Sequence, residues 1–138
     1  MKLYDEVEEV YNEFMKVDCT GCGYCMPCPA GVNIPICFEL YNKKYIFDDN
    51  QSSFVYAMYL GGSTSKEGYA GLCNGCGKCL KVCPQKLDVS LLLNDVSSDM
   101  EGRGFKYKVK IMGVLGKFVM LTIPSLNNRI SKRFRKRS

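Results

Sequence analysis

The chain of 138 residues contains no histidine and no tryptophan. Without imidazole there is no Rieske-type ligation of iron, no histidine acid–base scheme, and no Ser-His-Asp or Cys-His constellation. Acidic residues stop at Glu101, so the last part of the chain carries charge of one sign only. The apolar run at 111–124 is 14 residues long and includes Lys117. It is too short to span a bilayer, which takes ~20 apolar residues. The first residues, MKLYDEVEEVYNEF, are acidic and amphipathic, with no apolar core of the signal-peptide kind. No alternating strand pattern appears in residues 1–100, which argues against a sheet.

Nine cysteines stand against these absences, eight of them in two runs. Residues 19–29 read CTGCGYCMPCP, and residues 73–84 read CNGCGKCLKVCP. Four closely spaced cysteines followed by proline, occurring twice, are the signature of two iron–sulfur clusters. A cubane needs thiolates on four corners, and cysteines three apart wrap three of them. In two-cluster ferredoxins the cysteine before the proline ligates the other cluster. The expected sets are therefore Cys19, Cys22, Cys25 and Cys83 for cluster one, and Cys73, Cys76, Cys79 and Cys28 for cluster two. Cys25 and Cys28 are separated by two residues where the usual run has three.

Gly21, Gly23, Gly75 and Gly77 flank the second cysteine of each run. They free the backbone for positive φ and for close approach of N–H groups to sulfide, which stabilises the reduced cluster. Pro29 and Pro84 push Cys28 and Cys83 toward extended geometry. A disulfide framework suits small secreted chains, and zinc favours separated C-x2-C pairs, so both are set below iron–sulfur. Thiols held for iron must stay reduced, which implies the cytosol, of an anaerobe if the clusters are open to oxygen.

Between and around the runs the periodicity is helical. Leu3, Val7, Val10 and Phe14 form one stripe of a helix over residues 3–16, expected to pack over the first cluster. Asn33 as N-cap and Pro35 in the first turn open a helix that runs to about Asp48, with Ile36, Phe38, Leu40, Tyr41, Tyr45 and Phe47 as apolar positions. Cys37, inside it, reads as a small buried side chain. Residues 51–60 form a second helix, stopped by Gly61 and Gly62. The aromatics Phe54, Tyr56, Tyr59 and Tyr69 are expected to pack between the cluster lobes. Asp88 caps a closing helix with Val89, Leu92, Leu93 and Val96 on its apolar face. The fold class expected is all-α: a helical ferredoxin-like domain over residues 1–100 and a basic, partly apolar tail over 101–138.

CTGCGYCMPCPAGVNIPICFELYN, with CNGCGKCLKVCPQKLDVSLLL about 50 residues on, resembles the C-terminal iron–sulfur domain of ferredoxin-bearing aldo/keto reductases, in the α-helical ferredoxin group. The resemblance covers roughly residues 1–97. It implies a domain with two [4Fe-4S] clusters, the eight cysteines above as ligands, carrying electrons to or from a redox enzyme. The (β/α)8 barrel of that family is absent, and with it the nicotinamide site and catalytic set. Aldo/keto reductase activity is therefore not expected of this chain alone, which reads as an electron carrier or oxidoreductase subunit.

The tail reverses the charge. Residues 105–138 hold ten Lys or Arg and no acid, so the net +5 is a body of −5 joined to a tail of +10. Such asymmetry suggests an anionic partner. Leu126, Ile130 and Phe134 make a stripe among Arg and Lys, suited to an anionic membrane surface or an acidic protein. Nucleic acid is disfavoured by the acidic body. The expected partner for the clusters is a redox enzyme or flavoprotein, and the expected location is the cytoplasm, with peripheral membrane contact through the tail.

Overall fold

In the computed structural model, residues 6–7, 11, 14–48, 51–62 and 66–122 are described, with 116–122 as backbone only. The protein is all-α, and no strand occurs among the described residues. Helices α1 (Ile34–Ile46), α2 (Gln51–Leu60), α3 (Lys78–Val82), α4 (Val89–Met100) and α5 (Phe105–Thr122) follow in order, with a 3₁₀ turn at Ala70–Leu72. Both cysteine runs lie on irregular backbone beside these helices, apart from Cys79, which is within α3.

Helix α1 starts where Pro35 needs no donor in the first turn. Its expected cap is only half realised. Asn33 accepts the first helical bond through its backbone carbonyl, from Cys37 N–H at 3.0 Å, but its side chain makes no capping bond. Its own N–H is used elsewhere, donating to Gly68 O at 2.9 Å. The helix buries Ile34, Cys37, Phe38, Leu40, Tyr41 and Asn42, while Phe47 beyond its end is exposed rather than packed.

Helix α4 opens as expected, with Asp88 Oδ1 accepting from Leu91 N–H at 3.1 Å. It buries Val89, Leu93, Val96 and Met100. Lys44 and Tyr45 of α1 both reach Asp99 of α4, at 2.6 and 3.1 Å.

The core is one cluster filled most deeply by Tyr56, Phe38, Ile34 and Leu60. Of the four aromatics expected to pack between lobes, Tyr56 and Tyr69 do so, whereas Phe54 and Tyr59 face solvent. The core continues past residue 100. Phe105 and Val109 of α5 are buried, and the Phe105 ring lies 5.9 Å from Tyr56 and 5.4 Å from Tyr69. Gly61 permits this approach, because a methyl there would overlap the Val109 side chain and the Ala57 carbonyl.

In the expected 3–16 helix, the described residues Glu6, Val7, Tyr11 and Phe14 are helical, and Met15 N–H donates to Tyr11 O at 3.0 Å. Val7 and Phe14, two members of its stripe, are exposed instead of covered. The rest of that stripe, and Leu126, Ile130 and Phe134 of the tail, lie outside the described residues.

Candidate iron–sulfur site

Each cysteine run is fastened at its base by a buried polar side chain. Asn42 of α1 does this for the first run. Its Oδ1 accepts from Lys16 N–H at 3.1 Å and Val17 N–H at 2.9 Å, and its Nδ2 donates to Val17 O at 2.7 Å. Val17 O in turn accepts from Cys19 N–H at 2.8 Å.

Tyr56 and Glu101 do the same for the second run. Tyr56 Oη accepts from Ala70 N–H at 2.8 Å and donates to Glu101 Oε1 at 2.7 Å. Glu101 Oε1 also accepts from Gly71 N–H at 2.9 Å, two residues before Cys73. Three side chains thus fix where two otherwise irregular loops begin.

Within the runs the backbone repeats itself. Gly21, Gly23, Gly75 and Gly77 have φ of 69°, 76°, 69° and 68°. A Cβ at Gly21, Gly23 or Gly75 would meet nothing within 4 Å, so glycine is required there by the left-handed conformation, not by space. Each run then closes in a turn, Gly31 N–H to Cys28 O at 2.9 Å and Lys86 N–H to Cys83 O at 3.1 Å. Cys83 is extended before its proline, at φ −72° and ψ 116°.

The thiols gather around two hollows. One is lined by Cys19, Cys22, Cys25 and Cys83, with Ile34, Phe38 and Leu87 as apolar wall. The other is lined by Cys73, Cys76, Cys79, Cys28 and Cys25, together with Val82, Ile34 and Leu93. The first is narrow, about 20 Å³, and the second is about 170 Å³. Cys22 and Cys76 are exposed, whereas the other six are half-buried. Cys37 lies outside both hollows. It is buried in the core, with its thiol donating to Gly68 O at 3.5 Å and 3.9 Å from Tyr56 Oη.

Burial disfavours a bare thiolate at Cys25 and Cys79. Burial pushes the Cys25 thiol up, with Cys19, Cys22 and Cys79 adding repulsion. Burial also raises Cys79, against which the Ser90 hydroxyl and the backbone N–H groups of Cys79 and Leu80 favour its thiolate. Ser90 Oγ is buried on the wall of the second hollow without a hydrogen bond of full geometry, and Cys79 Sγ is the group it bears on.

Among the described residues, no three Cys, Asp or Glu side chains converge on a single metal ion. A cubane takes one thiolate per iron and so needs them spread around a volume. Four soft donors around an apolar hollow, with positive-φ glycines leaving N–H groups at the surface, fit such a group.

Fold and site together define an all-helical iron–sulfur protein with an electron-transfer role. Residues 18–87 match the model of the 4Fe-4S dicluster domain family, and the chain belongs to that family. No curated protein and no solved structure matches it. Asn42, Glu101 and Ser90 went unnoticed in the sequence, and Tyr56 was expected there as packing rather than as a hydrogen-bonding hold on the second run. Asn42 alone left a trace there, as a polar residue one turn after Phe38 on the buried face of α1.

Proposed function

We propose that the chain carries electrons through two [4Fe-4S] clusters, one on Cys19, Cys22, Cys25 and Cys83, the other on Cys73, Cys76, Cys79 and Cys28. The observation that carries this reading is the lining of the two hollows: the first brings Cys83 to the three leading thiols of the first run, and the second brings Cys28, with Cys25 beside it, to the three leading thiols of the second. Each cubane, when bound, supplies uptake and release of one electron near neutral pH. Asn42, Tyr56 and Glu101 hold the loops so that the thiols stay placed. Phe38, Leu87 and Leu93 keep water from the inner sides. Exposed Cys22 and Cys76 offer the outer edges to a partner.

That partner is a redox enzyme or flavoprotein. The resemblance of the cysteine runs to those of ferredoxin-bearing aldo/keto reductases supports a second reading, an iron–sulfur subunit serving such an oxidoreductase in trans. The cluster domain, expected over residues 1–100, takes in Glu101, Phe105 and Val109 as well, and the remainder of 101–138 is the docking segment, in the reducing cytoplasm. No helix among the described residues is long and apolar enough to cross a membrane.

Anaerobic reconstitution should return about eight irons and eight sulfides per chain. Replacing Cys19, Cys22 and Cys25 by alanine should leave one cluster, and adding Cys28→Ala should destroy it. Survival of that cluster in the quadruple variant would overturn the crossed assignment.

A further inference from the structure

Over residues 105–115 helix α5 has two apolar faces, and among the described residues only one of them is covered. Phe105 and Val109, one turn apart, are seated in the core. On the opposite side Tyr107, Ile111, Val114 and Leu115 follow at steps of four, three and one, and are between 55% and 76% exposed. At 100° per residue these four fall within about 100° of arc. Lys106 and Lys110 border that arc on one edge and Lys108 on the other, all three exposed. An apolar stripe with ammonium groups along both edges matches a planar boundary, where lysine stems lie along the acyl region and their heads turn outward. The charge agrees, since no acidic residue occurs after Glu101, whereas residues 1–104 carry −5.

We propose that α5 lies in the plane of an anionic lipid surface, with Tyr107, Ile111, Val114 and Leu115 inserted and Lys106, Lys108 and Lys110 on the headgroups. The acidic body is then repelled from the same surface, which sets the molecule's orientation. This inference stands on α5 alone and holds whatever the cysteines bind.

The test is flotation of the full chain with vesicles of phosphatidylcholine mixed with phosphatidylserine, and with vesicles of phosphatidylcholine alone. Binding is expected to the first only, and to be lost at high salt. Ile111→Glu with Val114→Glu, which leaves Phe105 and Val109 in place, should abolish it while the helical circular dichroism is kept. Replacing Lys106, Lys108 and Lys110 by glutamine should weaken partitioning roughly five-fold for each lysine. This second set leaves the apolar positions intact, so it tests the surface even if the glutamates disturb the helix. Failure of the parent chain to float overturns the proposal. So does undiminished flotation of both variants, which would put the binding on the basic residues 129–137. A stripe-dependent dimer without vesicle binding would assign the face to a second copy instead.

Discussion

Asn42 makes three hydrogen bonds to the backbone of residues 16 and 17 from a buried position. Leucine there would keep the volume and strand those groups, at about 1–3 kcal/mol for each one left unsatisfied. Asn42→Leu should therefore lower the thermal midpoint by several degrees and release iron from the first site before the second, followed by absorbance and iron content. Ser90 offers a different test. Its hydroxyl is the one buried oxygen without a full partner among the described side chains, and it bears on Cys79. A hydroxyl donated toward sulfur stabilises the more negative state. Ser90→Ala should make the second cluster's reduction potential more negative and leave the first unchanged in an EPR-monitored titration. Equal shifts in both, or none, would exclude the role.

Cys37 carries a pH dependence. Burial pushes its thiol up from 9.0 to about 12. The fold thus favours the neutral thiol, while the unfolded thiol ionises first. Its contribution to stability is complete below pH 9 and is lost progressively as the pH rises toward 12. Denaturation at pH 8 and pH 10 should show a smaller loss in Cys37→Ala than in the parent, and the variant should keep its full iron content. The interior role of Cys37 was legible because it stands outside both runs. The work of Asn42 was not, because its partners lie 25 and 26 residues earlier in the chain.

Elements were legible in proportion to how local their causes are. The start of α4 depends on Asp88 and Leu91 alone, and the capping pattern gave it away. At the start of α1 the same reasoning overreached, since the Asn33 side chain stays out of the cap. Helix α5 is the sharper case. With apolar residues on both sides, its periodicity cannot say which face is covered, and Phe105 and Val109 are chosen by Tyr56, Tyr69 and the gap at Gly61. The cysteine loops were legible because ligand spacing and glycine placement are written within a dozen residues. Gly75→Ala tests that element. The added methyl meets no atom, so the penalty is the left-handed φ of 69°, roughly 1–2 kcal/mol. Slower reconstitution of the second cluster is expected, with helical content unchanged.

For the molecule as a whole, the buried hydrophobic core draws on the helices and their flanking segments, and the runs contribute mainly half-buried thiols at its margin. Stripping iron with a chelator should therefore leave much of the helical circular dichroism while opening residues 18–31 and 73–77 to protease. Complete loss of helix on stripping would show instead that ligation drives the whole fold.

Glu101 stands between α4 and α5, and through a single carboxylate it grips both Tyr56 and the backbone just ahead of Cys73. Any tug on α5 is thereby delivered to the loop that seats a redox centre. A substitution at Glu101 therefore reaches the junction of α4 with α5 and the start of the second cysteine run at the same time.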